Sequence, residues 1–341
     1  MKRILSVLAV LCLLVGLSAC TTGQKPVPPV PMESHDAASM PEEFFPVTEP
    51  AMPYFDESEN LYQQVLQRLE NYDNSRAKTV GLRAEDGEFL IDTLTSLGDY
   101  KDSKQILKRL SVCHDQLIYT KETGWDRLGN ERGISTGNNF YDGAGRVIQT
   151  DDTEFSYQLG IMRNSQDILY ISYQENGQVE NVKVVFFGDV SVLATPVYDD
   201  NGTLTQMHLM RNSGDSISTF TYDSENRLIG VQMTDEHGDK WNLSYEYDDD
   251  GNRIRRTLQI KSWVNTTYRT NYFYEEAKLI RKETVTTSES HDPITSVTEY
   301  SYGADGRISG YQFTTDSPYE TYKNTECIYT YGDSYSYTPD K

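Results

Sequence analysis

The residues best suited to chemistry in this chain are a run of carboxylates, four of the five histidines and several closely spaced aromatics. The carboxylate run begins at Glu246 and places Asp248 and Asp250 at alternate positions ahead of Gly251, the start of a helix-flanked calcium loop. Position 12 of such a loop must be a bidentate Glu, but here it is Thr257, and no helical pattern flanks the run. An acidic hairpin turn is therefore expected. His114, His208, His237 and His291 form no His-x-x-x-His pair and stand at no metal spacing from a cysteine. His291 and Asp292 lie beside Ser288 and Ser290, but the Gly-x-Ser-x-Gly elbow of a hydrolase is absent. The expectation is a protein without catalytic residues, metal or cofactor. The aromatics offer a different chemistry. Tyr245, Tyr247, Tyr272, Tyr274, Tyr300 and Tyr302 recur as pairs two residues apart, with Trp241 and Trp263 nearby. Residues two apart on a strand share one face. Such rings can stack on sugar faces or form the apolar layer of a sheet, and both readings stand at this point.

The N-terminus carries its own chemistry. Lys2 and Arg3 precede the apolar run Ile4–Leu14, which is short for a membrane span, and Leu17-Ser18-Ala19-Cys20 follows. This resembles the lipobox of bacterial lipoproteins. The resemblance implies that residues 1–19 are a signal peptide cleaved before Cys20. The Cys20 sulfur would then carry lipid, anchoring the chain on the outer, extracytoplasmic face of a membrane. Each buried CH2 of a lipid chain contributes roughly 0.8 kcal/mol, so two or three chains would hold firmly. Of the remaining cysteines, Cys12 would leave with the signal, and Cys113 and Cys327 are either a disulfide or two buried thiols. The full chain carries a formal charge of −21. Removing Lys2 and Arg3 leaves 29 basic against 52 acidic residues. That surface repels nucleic acid, so no nucleic-acid partner is expected.

Behind Cys20, residues 20–54 read as a linker, because eight of the twelve prolines fall between Pro26 and Pro53. Proline-rich chain is extended and holds neither helix nor central strand. Residues 55–115 read as helical. Leu61, Val65 and Leu69 recur at helical spacing, and Phe89, Leu90, Leu94 and Leu97 follow. The phrase Leu97-Gly98-Asp99-Tyr100-Lys101-Asp102-Ser103 resembles the inter-helix turn of tetratricopeptide-like hairpins. It implies that Gly98 ends one helix in the left-handed conformation and that Asp102 or Ser103 caps the next.

Residues 116–341 change to strand language, with period-two runs such as Ile168–Tyr173 and Ile217–Tyr222. A phrase recurs through them: Tyr141-Asp142-Gly143-Ala144-Gly145-Arg146-Val147, Tyr222-Asp223-Ser224-Glu225-Asn226-Arg227-Leu228, and Tyr302-Gly303-Ala304-Asp305-Gly306-Arg307-Ile308. The repeat tyrosines 141, 173, 198, 222, 247, 274, 302 and 331 lie 24 to 32 residues apart, room for one hairpin each. The phrase resembles the YD repeat of RHS-type proteins. Departures occur where Gln174, Glu275, Gly303 and Gly332 follow the tyrosine. RHS proteins commonly wind many more repeats into a hollow shell around a C-terminal toxin. About seven units are too few for that, and nothing toxin-like follows Tyr331. The expected fold is mainly β, with repetitive antiparallel hairpins forming an open curved sheet or partial barrel behind a small α-helical domain. The expected function is a binding or structural one. A surface lipoprotein would present its aromatic-rich β face to a carbohydrate or cell-wall polymer. The alternative is a protein-binding β-meander of chaperone or immunity type, and an enzyme or toxin-associated protein ranks third.

Overall fold

The computed structural model describes residues 56–339 apart from 73–77, 126–129, 163–166, 187, 212–213, 235–237 and 319–323. All of the described residues fall in one compact unit, Phe55–Lys341. The expected signal segment, Cys20 and the expected linker, residues 1–54, lie outside the described residues.

Helix α1 (Glu57–Glu70) starts where the Asp56 carboxylate accepts the N–H groups of Ser58 and Glu59, satisfying donors that the helix leaves open. Its buried stripe is Tyr62, Val65 and Leu69, while Leu66 stays exposed. Strand β1 (Val80–Leu82) and helix α2 (Ala84–Leu97) follow, and α2 ends at Gly98 with φ +56°. The third helix, α3 (Ser103–Leu107), departs from expectation: neither Asp102 nor Ser103 caps it. The Asp102 carboxylate instead accepts the Tyr62 hydroxyl, a contact from 40 residues away that local spacing does not reveal. These helices bury Leu82, Leu90, Leu94 and Ile106 against Tyr335 and Tyr337, near the chain's end.

The remainder is one antiparallel sheet. Its first strands are β2 (Leu110–Trp125), β3 (Glu131–Asn138), β4 (Phe140–Tyr141) and β5 (Val147–Thr150), after which a short helix α4 (Thr153–Gln158) intervenes. Next come β6 (Ile168–Tyr173), β7 (Val179–Phe186), β8 (Asp189–Tyr198), β9 (Leu204–Arg211), β10 (Ser216–Tyr222) and β11 (Leu228–Thr234). The last are β12 (Lys240–Tyr247), β13 (Arg253–Lys261), β14 (Thr266–Glu275), β15 (Lys278–Ser288), β16 (His291–Tyr302), β17 (Ile308–Thr315) and β18 (Asn324–Tyr337).

From β4 to β18 every strand pairs with the next, β18 then pairs with β2, and β2 with β3. The sheet is thereby nearly closed into a barrel. At the seam, the Asn139 N–H donates to the Ile118 carbonyl, and Thr150 donates to the Asn139 side chain at 2.6 Å. Strand β1 adds to β18 through Val80↔Tyr337, so helices and sheet share one core. Closure removes most of the unpaired edge that a flat sheet would expose. Cys113 and Cys327 are free thiols. Cys327 stands opposite Glu122 and Cys113 opposite Ser334, a gap of nine residues along β2 or roughly 30 Å. The disulfide alternative is therefore excluded by register.

Candidate functional site

The recurring phrase resolves into one job per residue. In the unit at Tyr222, the Asp223 carboxylate accepts the N–H groups of Glu225 and Arg227 through Oδ1, and the Arg227 Nε at 2.7 Å through Oδ2. Asp142 does the same for Ala144 and Arg146, and Asp248 for Asp250 and Asn252. The Gly or Asn position takes positive φ: +77° at Gly145, +61° at Asn226 and +85° at Gly251. Few other residues adopt this conformation cheaply. The Glu246–Asp250 run is thus an acidic hairpin turn, as its spacing predicted. Where Gly303 lacks the carboxylate, Asp305 takes over, accepting the Arg307 N–H and, at 2.6 Å, its Nε.

The tyrosine sits at a register shift in its strand, as at Thr221/Tyr222, Glu246/Tyr247, Phe273/Tyr274 and Ser301/Tyr302. Its hydroxyl reaches back to the preceding hairpin. Tyr222 donates to the Leu204 carbonyl at 2.9 Å, Tyr247 to Leu228 at 2.8 Å, Tyr274 to Arg253 at 3.0 Å and Tyr302 to Leu279 at 2.9 Å. Tyr173 and Tyr198 repeat the contact with Val147 and Val179. The turn arginine then covers the next ring: Arg146 lies 4.5 Å from the Tyr173 centroid, Arg227 5.0 Å from Tyr247, and Arg307 4.6 Å from Tyr331. The hydroxyl bond staples a unit to its neighbour, and at Tyr173 and Tyr247 a cation–π contact from the turn arginine adds to it.

The eight aromatic candidates therefore separate. Tyr247, Tyr274 and Tyr302 are staples. Trp241 packs against the apolar core of β6–β9, which includes Leu169, Val182, Met207 and Leu209. Trp263 is 71% exposed in the β13–β14 connection, at the far end of the strands from the tyrosine turns. Tyr245, Tyr272 and Tyr300 form a second row on the sheet's inner face. Tyr245 is only 4% exposed, and Tyr272 and Tyr300 are half-buried. The six tyrosines line this face and do not form an exposed outer platform.

Charged groups from other elements join this second row. Tyr245 stands opposite Arg256, and Tyr272 opposite Lys282. The Arg253 guanidinium lies 4.3 Å from the Tyr245 ring, and the Lys282 ammonium 5.2 Å from the Tyr300 ring. Helix α4 supplies Glu154, whose carboxylate accepts Arg253 Nη1 at 2.6 Å and also Arg256 Nη1. Arg256 further reaches Thr270, which bonds Thr284 at 2.9 Å. Burial pushes the Tyr245, Tyr272 and Tyr300 hydroxyls above the usual phenol range, keeping them neutral donors. Burial also pulls the Lys282 ammonium below its ordinary value. Neither arginine was legible as an inward residue, since 253 and 256 belong to opposite faces of a regular strand. The extra residue at Ile254, between the pairs Tyr247↔Arg253 and Glu246↔Arg255, turns both inward. Glu154 carried no sequence signal at all.

No protein-family model matches the chain. It is 32% identical over 114 residues to the tRNA3(Ser)-specific nuclease WapA of Bacillus spizizenii, a tract covering 33% of this chain and 4% of that relative. The chain spans only a small fraction of that relative's length. Among solved structures, the Photorhabdus luminescens Tc holotoxin pore with mutated TccC3 aligns at 17% identity and TM-score 0.30, over 56% of this chain and 9% of that one. A porin-like protein from Bacteroides uniformis aligns at 9% identity and TM-score 0.40, over 63% of this chain and 97% of the other.

Proposed function

We propose that this is a lipid-anchored, RHS-type repeat protein of the bacterial envelope whose β body binds a carbohydrate or cell-wall polymer. The observation that carries the reading is the inner row of Tyr245, Tyr272 and Tyr300. Among the described residues these rings donate no hydroxyl to the backbone of a neighbouring hairpin, unlike Tyr247, Tyr274 and Tyr302, and they stand beside Arg253, Arg256 and Lys282. Aromatic faces next to polar donors suit sugars, which offer an apolar face and a rim of hydroxyls. The role on this reading is one of binding, and Asp248, the centre of the most metal-like run of the sequence, holds a turn. The lipid on Cys20 supplies the membrane partner.

Two measurements test the proposal. Cys20→Ala should move the protein from the membrane to the soluble fraction and abolish incorporation of labelled fatty acid. Titration calorimetry should detect binding of members of a glycan panel, and Tyr272→Ala should weaken that binding. Silence across a broad panel, together with capture of an envelope protein by the native chain, would favour the protein-binding alternative.

A further inference from the structure

The cluster at α4 contains more donors than its one carboxylate uses. Glu154 engages Nη1 of Arg253 and Nη1 of Arg256. The Nε of each arginine is buried without a hydrogen-bond partner, as is the hydroxyl of Tyr245. Tyr245 is 96% buried against 4% exposed, and its ring lies under Arg253. An arginine fork presents its Nε and Nη hydrogens in the geometry of a carboxylate, and a buried donor left open costs on the order of 1–3 kcal/mol. Arg253, Arg256 and Lys282 share this space with two carboxylates, Glu154 and Asp152, both of which act on Lys282.

We propose that Arg253, Arg256 and Tyr245 form a binding site for the carboxylate of an acidic sugar, held in this structure by the chain's own Glu154 as a stand-in. The site is reachable: the Glu154 side chain is 32% exposed, against 21% for Arg253 and 15% for Arg256. Exchange requires only a rotation of that side chain. The helix itself stays fixed, because Ser156, Leu159 and Ile161 behind it are buried and Ser218 donates to the Gly160 carbonyl at 2.6 Å. An incoming carboxylate can take the Nη1 hydrogens that the Glu154 side chain releases, and Tyr272 and Tyr300 offer rings to the attached sugar. The sugar part rests on the carbohydrate reading above, while the carboxylate part rests on the arginines alone.

The test compares full-length wild type with Glu154→Gln, which keeps the side chain's size and removes its charge. D-glucuronate, acetate and D-glucose are titrated by calorimetry, with thermal shift as a second readout. Glu154→Gln is expected to bind glucuronate at least tenfold more tightly than wild type. Adding Arg256→Gln should abolish that gain, and glucose should not bind measurably at this site. Should Glu154→Gln fold poorly, Glu154→Asp withdraws the carboxylate by one methylene and should show the same gain in reduced measure. Acetate binding as tightly as glucuronate would support the carboxylate site and overturn the sugar reading. Equal glucose and glucuronate binding, or no gain for glucuronate in either folded variant, would overturn the site itself.

Discussion

Replacing Tyr247 with Phe removes one oxygen and leaves everything else in place. The lost atom donates to the Leu228 carbonyl at 2.8 Å, a bond that joins one hairpin to the next. The retained ring keeps its apolar contacts and the Arg227 guanidinium at 5.0 Å, so burial and cation–π terms cancel in the comparison. A neutral hydrogen bond contributes about 0.5–1.5 kcal/mol net. We therefore expect a loss of about 1 kcal/mol, or a fall of roughly 2 °C in melting temperature for a domain of this size. The control is Tyr268→Phe. Tyr268 is half-buried on the same face and packs against the same cluster, but its hydroxyl has no hydrogen-bond partner among the described residues. It should change stability by no more than about 0.3 kcal/mol, a surface-like substitution. Urea unfolding followed by circular dichroism reads both. Equal losses in the two variants, or no loss in Tyr247→Phe, would refute the view that the repeat tyrosine holds units together through its hydroxyl.

Three further perturbations follow from the same geometry. Stability should fall in acid. The Arg227 backbone N–H holds Asp223 below its ordinary value, the Asn252 side chain does so for Asp248, and the Arg307 side chain for Asp305, while Lys101 and Tyr100 hold Glu59 at about 2. Groups depressed on folding stabilise fully above their unfolded pKa and lose that contribution as pH falls through the folded one. Urea midpoints should therefore be flat above about pH 5 and drop toward pH 2; Asp223→Asn should make the drop shallower, and an unchanged slope would contradict the turn assignment. Gly87→Ala should destabilise, although a helix-interior Gly to Ala change ordinarily gains about 1 kcal/mol, because the new Cβ would stand 2.2 Å from Cγ of Tyr335; a melting temperature at or above wild type would contradict this packing. Glu276→Asn with Ala277→Gly should gain about 1 kcal/mol, since the wild-type residues sit at φ +49° and +61° in the two-residue turn between β14 and β15, where Asn-Gly is preferred; thermal melts decide.

The sequence by itself determined the hairpin array. Turn chemistry is local: Asp223, Asn226 and Arg227 act within five residues of one another, so their spacing is readable wherever the chain sits. Period-two alternation likewise marks strands before any partner is known. The degenerate units were also legible as departures, although only the structure explained them. Asp305 covers for Gly303, and Glu276-Ala277 makes a tighter turn than its neighbours.

The tertiary structure decided what the tyrosines are for. Tyr245 and Tyr247 look alike in sequence and share a face, but the register shift gives Tyr247 a carbonyl from the preceding hairpin and leaves Tyr245 among arginines. The same shift turned Arg253 and Arg256 to one face, which strand periodicity forbids. Glu154 reached both from about a hundred residues away, because closing the sheet toward a barrel encloses whatever helix precedes β6. A staple depends on neighbours in sequence; a site inside a nearly closed sheet depends on residues that only closure makes neighbours.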